Sequence, residues 1–129
     1  MTNPNLNGSN GNNRLIDPEK LLDMAMDDVD FLSELIDLFT ALIPEQIQEI
    51  KQAMAQNDAE TLAVVAHSFK GAVGNYTQGA PHLLLQDLEN AGKSGQLQDC
   101  PEKLELLEQE LTNLKTELAS FRSTTCHSV

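Results

Sequence analysis

One stretch of the chain, Ala66-His67-Ser68-Phe69-Lys70-Gly71-Ala72-Val73-Gly74-Asn75-Tyr76, brings a nucleophile, a cation and two glycines together at helical spacing. A neutral imidazole keeps a lone pair on one ring nitrogen, so an exposed His67 can attack an electrophile near neutral pH. Lys70 and Gly71 follow His67 at i+3 and i+4 and neighbour it on a helix surface. A lysine there attracts the charge of a phosphoryl group. Gly71 and Gly74 each cost a helix about 0.8–1 kcal/mol relative to Ala, so two of them beside the histidine need a reason. Either another helix packs closely there, or a partner must reach the imidazole without meeting side chains. On spacing alone, a phosphoryl acceptor and an ordinary surface histidine both stay open.

The elements that must position this stretch are all helical. Asp17-Pro18 is a helix start, an N-cap carboxylate followed by proline at the first helical position, and a short helix is predicted to about Met26. Its Leu21, Leu22, Ala25 and Met26 cover part of a bundle; Leu21, Leu22 and Met26 are alternatively an apolar docking patch beside His67. From about Val29 to Gln56 the apolar face is Phe31, Leu35, Leu38 and Leu42 with Ile36, Phe39 and Ile43, continuing as Ile47, Ile50 and Met54. Pro44 removes one backbone donor, and one long bent helix is expected because the apolar face resumes beyond it. Asn57 or Asp58 caps the helix that carries His67. There Leu62, Val65, Phe69, Val73 and Tyr76 form the inward line, while Ala63, His67, Lys70, Gly71 and Gly74 fall on another strip. Thr77 to Ala80 connect to a helix opened by Pro81, with Leu84, Leu85, Leu88 and Ala91 as its face. It is predicted to stop at Gly92-Lys93-Ser94-Gly95. Pro101 opens the last helix, where Leu104, Leu107, Leu111, Leu114, Leu118 and Phe121 repeat at threes and fours. That stripe is long enough for a coiled coil, but four amphipathic partners favour bundle packing.

With short connectors and no strand signal, the expected fold is all-α, an antiparallel up-down-up-down four-helix bundle with a short extra N-terminal helix. Residues 1–14, rich in Asn and Gly, are expected to be a disordered tail, residues 15–121 the bundle, and residues 122–129 a flexible tail. Cys126-His127 at that end is read as frayed chain more than as a metal site.

Composition narrows the chemistry. The chain has 129 residues and a formal net charge of -12, with no run of Lys or Arg to track a phosphate backbone. Nucleic acid and anionic membrane surfaces are therefore not expected as partners. Two cysteines, Cys100 and Cys126, are too few for a disulfide framework and lack paired metal spacing. Together with the absence of a signal-peptide pattern at the N-terminus, this leads to an expected cytoplasmic location. There is no glycine-rich phosphate loop, no His-Glu-x-x-His and no Glu-x-x-His pair, and His82 is not spaced to pair with His67 on one helix face. No cofactor or metal is expected on this chain.

The central stretch resembles the histidine-containing phosphotransfer (HPt) domain of two-component phosphorelays. The pattern His, any residue, Leu or Phe, Lys, Gly, then small residues is met by His67, Phe69, Lys70, Gly71 and Ala72, with Gly74 and Asn75 following. Downstream, Leu88-Glu89 and Gly92-Lys93 match a second family feature, and the Asn57-Asp58-Ala59-Glu60 turn is typical. The resemblance covers about residues 17 to 121. It departs at Val73, where Ser or Ala is usual, at Thr77, where Gly is usual, and at Pro81, which replaces an apolar residue.

The resemblance implies a phosphocarrier without its own ATP site. His67 would take a phosphoryl group through Nε2 from a receiver-domain aspartate and pass it to another receiver aspartate. Lys70 would stabilise the phosphoryl charge, and the receiver would supply Mg²⁺. Glu89 stands where the family places a polar side chain that orients the imidazole, with Gln86 as the alternative on the same helix. Response-regulator receivers and a hybrid sensor histidine kinase are the implied partners, and a monomer is expected. A non-catalytic helical adaptor that binds a receiver or kinase without taking phosphate is the main alternative, and a metal-binding bundle enzyme a remote third.

Overall fold

The computed structural model of the chain describes residues 15–126. The expected tail over residues 1–14, and His127 with the rest of the C-terminus, lie outside the described residues. Five helices follow in order: α1 (Pro18–Met24), α2 (Val29–Ala55), α3 (Ala59–Gly74), α4 (Ala80–Ser94) and α5 (Cys100–Cys126). Helices α2 to α5 form the antiparallel up-down-up-down four-helix bundle, with contacts running α2 to α3, α3 to α4, α4 to α5 and α5 back to α2. The extra helix α1 packs on α2. No strand occurs among the described residues.

Three aspartates set the helix starts. Asp17 accepts from the Glu19 N–H at 3.1 Å, Asp28 from that of Phe31 at 3.1 Å and Asp58 from that of Thr61 at 3.1 Å. Each satisfies an orphan donor of the first turn, worth about 1 kcal/mol. Of the two candidates before α3, Asp58 is the cap, while Asn57 takes the left-handed conformation (φ 54°) that closes the turn. Helix α2 continues through Pro44 without interruption. Helix α4 stops within the expected stretch: it ends at Ser94, and Gly95, at φ 77°, is its left-handed cap. The connector before α4 is closed by Thr77, a buried residue whose Oγ1 accepts from the Gly79 N–H at 3.0 Å.

Helices α2 and α5 have 27 residues each, against 16 in α3 and 15 in α4. At 1.5 Å per residue the excess is about 17 Å, and it lies at one end of the bundle. That end is covered by α1 and the residues before it. Glu117 on α5 accepts from the backbone N–H groups of Leu15 at 2.8 Å and Ile16 at 3.3 Å. Arg122 pairs with Asp37 on α2 and donates to the Ser33 carbonyl at 3.4 Å. The last helix therefore does not give way to a tail at residue 122. It stays helical to Cys126, because Arg122 is tied across to α2.

The inward line of α3 is Leu62, Val65, Phe69 and Val73, with Tyr76 just beyond, all buried. Tyr76 stacks on Phe39, ring centroids 4.3 Å apart, and its hydroxyl donates to the Leu35 carbonyl at 3.1 Å. On α2 the core line is Leu32, Ile36, Phe39, Ile43, Ile47 and Ile50. The expected line through Phe31 and Leu38 is corrected: Leu38 is 69% exposed and Phe31 also faces solvent. In α1, Leu21 and Ala25 are core, Leu22 packs partly against it, and Met26 is 82% exposed.

Candidate functional site

Helix α3 turns its apolar line to the core, which leaves the strip holding His67 on the outside. The His67 side chain is 70% exposed. Facing it from α4 is Glu89, next to the core residue Leu88 and only 3% exposed. A carboxylate that deep in an apolar bundle needs cationic or hydrogen-bonding partners. It has three. His67 Nδ1 and Lys93 Nζ each lie 3.0 Å from Oε2, and Lys70 Nζ lies 2.7 Å from Oε1. Lys70 makes the shortest of the three approaches, and it is the one that does most to keep the carboxyl ionised. Lys70 also donates to Gln86 Oε1 at 2.7 Å, and Gln86 in turn donates to Asn90 at 3.1 Å.

These contacts fix the chemistry of the ring. Lys70 above all, with Lys93 and His67 adding to it, holds the Glu89 carboxyl down at about 2 against the opposing push of burial. An ionised carboxylate can only accept, so the hydrogen between it and the ring belongs to Nδ1 of His67. The other nitrogen, Nε2, is then the one with the free lone pair. A buried anion thus orients the imidazole and selects its tautomer, while the exposed side of the ring stays open.

The low Glu89 value has a consequence for stability. A carboxylate with its pKa depressed by folding contributes stability above its ordinary value, here 4.5, and loses it as pH falls toward about 2. The melting temperature of the wild type should decline across that window. Glu89→Gln, which has no proton to gain, should show a visibly smaller decline between pH 4.5 and 2 in circular-dichroism melts.

The glycines divide by role. A Cβ on Gly71 would meet nothing within 4 Å, so no helix packs there. On Gly74 it would touch the ends of two side chains, His82 at 3.3 Å and Gln78 at 3.4 Å. The glycine that allows close helix packing is Gly92: a Cβ there would lie 2.6 Å from the Ala63 backbone nitrogen and 2.7 Å from the Ala59 carbonyl oxygen. That contact draws α4 onto α3 one turn beyond Glu89.

The structure thus brings His67, Lys70 and Glu89 together and leaves Gly71 open beside them. Gln86 reaches Lys70 rather than the imidazole. Sequence reasoning missed Lys93 as a partner of Glu89, although their i, i+4 spacing was a signal, and missed that Gly92 packs against α3. Among the described residues, no group of three or more His, Cys, Asp and Glu converges to hold a metal, and no helix is long and apolar enough to cross a membrane.

Comparison with known proteins identifies the family of the chain. The chain is similar to the crystal structure of histidine-containing phosphotransfer protein B (HptB) from Pseudomonas aeruginosa PAO1. The TM-score is 0.79 and the identity 25%, over 87% of this chain and 97% of that one. No curated protein matches the chain. The sequence model of the Hpt domain matches residues 34–117, well over half of the chain. The chain therefore belongs to the Hpt domain family, the phosphotransfer proteins of phosphorelays, which work with receiver domains and kinases.

Proposed function

We propose that His67 accepts a phosphoryl group from a receiver-domain aspartyl phosphate and relays it to an aspartate of another receiver. The observation that carries this is the exposed imidazole whose Nδ1 is held by an ionised, buried Glu89. The Nε2 lone pair attacks phosphorus, a P–N bond forms, and the P–O bond to the receiver aspartate breaks with its electron pair leaving on the carboxylate. No proton has to move. The ring becomes a phosphoimidazolium that keeps its Nδ1–H, and its new positive charge rests against Glu89. In the return step a receiver carboxylate attacks phosphorus and Nε2 leaves as a neutral imidazole. Lys70 contributes through Glu89, whose ionised state it supports. Mg²⁺ belongs to the partner receiver, where it offsets charge on the phosphoryl oxygens.

The phosphoryl group comes from the partner, so the chain acts as a carrier between a hybrid sensor histidine kinase and response-regulator receivers. Val64, 65% exposed and one turn before His67, and Gly71, with open space around it one turn after, leave the receiver room to approach the imidazole along α3. Incubating the chain with a ³²P-labelled receiver should yield an acid-labile, base-stable adduct that maps to His67 by mass spectrometry. An acid-stable adduct, or label on another residue, overturns the proposal. A chain that binds the receiver and takes no label is the non-catalytic adaptor.

Gly71 offers a separate check. With open space around it, Gly71→Gln should fold as well as the wild type or better, gaining up to about 0.8 kcal/mol of helix propensity. Its side chain would stand where the receiver must approach, so transfer should drop by tenfold or more, on the order of 1.4 kcal/mol of barrier. Stopped-time transfer assays beside urea denaturation separate the two effects.

A further inference from the structure

Helices α2 and α5 enclose a groove of about 320 Å³. The four bundle helices touch in a ring, so the α2–α5 face lies opposite the α3–α4 face that carries His67. The floor of the groove is Ile43, Ile47 and Leu111, and Pro44 adds a rigid ring that brings no backbone N–H to the wall. At one end Lys51 pairs with Glu108 at 3.3 Å. Lys115 stands at the other end, two turns or about 10 Å along α5 from Glu108. It is half-buried, and no described acid lies within ion-pair distance of its ammonium. The chain has 20 acidic side chains against 8 basic ones, so a lysine unmatched by an acid at the end of an apolar slot stands out.

We propose that this groove binds a medium-chain carboxylate, its alkyl chain laid along Ile43, Ile47 and Leu111 and its carboxylate paired with Lys115. The dimensions select a chain over a helix. Spread over about 10 Å of length, the volume leaves a slot about 6 Å across, whereas a helix with its side chains is about 10–12 Å wide. The floor offers only apolar atoms, so an alkyl chain leaves water without stranding a polar group. The charges select a single head group. Glu108 already satisfies Lys51, so a second carboxylate at that end would meet an anion, and Lys115 is the cation left to pair. Its four-carbon stem lets the ammonium meet a carboxylate at the groove mouth by side-chain rotation alone. Because His67 is on the opposite face, the ligand and a receiver can occupy the chain together. Binding is noncovalent, and no bond forms or breaks.

The test titrates the full chain with decanoate, below the concentration at which it forms micelles. Calorimetry should give one saturable site, and methyl NMR should place the shifts on Ile43, Ile47 and Leu111. Decanol, a chain of the same length without the charge, should bind at least tenfold more weakly, the effect of one lost charge-assisted contact. Lys115→Ala should weaken decanoate by the same factor, and Lys115→Arg should restore it. Thr112 lines the groove from an exposed position, so Thr112→Phe should fill the slot and abolish binding while the melting temperature holds. Decanol and decanoate binding equally, or Lys115→Ala or Thr112→Phe binding decanoate as tightly as the wild type, overturns the assignment. So do shifts that fall on α3 and α4 instead, or no saturable binding at all. None of these readouts involves phosphoryl transfer, so the groove and the acceptor role of His67 stand or fall separately.

Discussion

His67→Gln should take up no phosphoryl label above background from a phosphorylated receiver, yet fold and melt like the wild type. The expected loss is total because an amide nitrogen has its lone pair delocalised and cannot attack phosphorus, whatever its position. The expected stability follows from the setting of the side chain. His67 is 70% exposed, so little packing is lost, and a change within about 0.5 kcal/mol is the norm at such positions. A glutamine amide can still donate to Glu89, and the carboxylate keeps Lys70 and Lys93. The variant therefore removes the nucleophile and leaves the charge balance of the site in place. Receiver binding, measured by calorimetry, should persist. Label on His67→Gln would move the acceptor to another residue, and His82, the other described histidine, is not among the partners of Glu89.

The features legible in the sequence were those with a local period. The inward line of α3 follows from spacings of three and four, and its complement is the strip that carries His67. The caps at Asp17 and Asp58 were legible for the same reason, since capping is a matter of a few consecutive residues. Helix α2 was harder. It is apolar on more than one face, with Phe31 and Leu38 exposed beside a core line through Leu32, Ile36 and Phe39, and periodicity alone does not say which face meets the core. The site shows the same division. Spacing placed Lys70 next to His67, but what Lys70 does is decided by a carboxylate on another helix. Glu89 draws both lysines because it is buried, and burial across a helix interface has no local signature. The stop over Gly92 to Gly95 was legible, but the packing role of Gly92 was not, because it depends on the neighbouring helix that lies against it.

Gly92→Ala should destabilise the bundle by about 2 kcal/mol, the range found for overpacked interiors, although the same change in an isolated helix would gain close to 1 kcal/mol. The reversal of sign is the diagnostic. The added methyl would sit 2.6 Å from the Ala63 nitrogen, 2.7 Å from the Ala59 carbonyl oxygen and 2.9 Å from the Ala63 Cα. These are backbone atoms and cannot rotate away, so α4 has to lift off α3. Gly71→Ala is the matched control, since its methyl would meet nothing within 4 Å and should stabilise. Urea denaturation of the pair measures both signs, and a stabilising Gly92→Ala would mean that the two helices do not approach as described. The displacement also has a chemical reading. Glu89 is one turn before Gly92, and its 3.0 Å contact with His67 Nδ1 is what holds the ring in one tautomer. Lifting α4 should release it, so ¹⁵N NMR should find the Nδ1–H form dominant in the wild type and a mixture of Nδ1–H and Nε2–H forms in Gly92→Ala. The Nε2–H form has no lone pair on the outward nitrogen. A packing change more than a turn away from the histidine, touching no ligand, should therefore slow phosphoryl uptake in proportion to the fraction of that second tautomer.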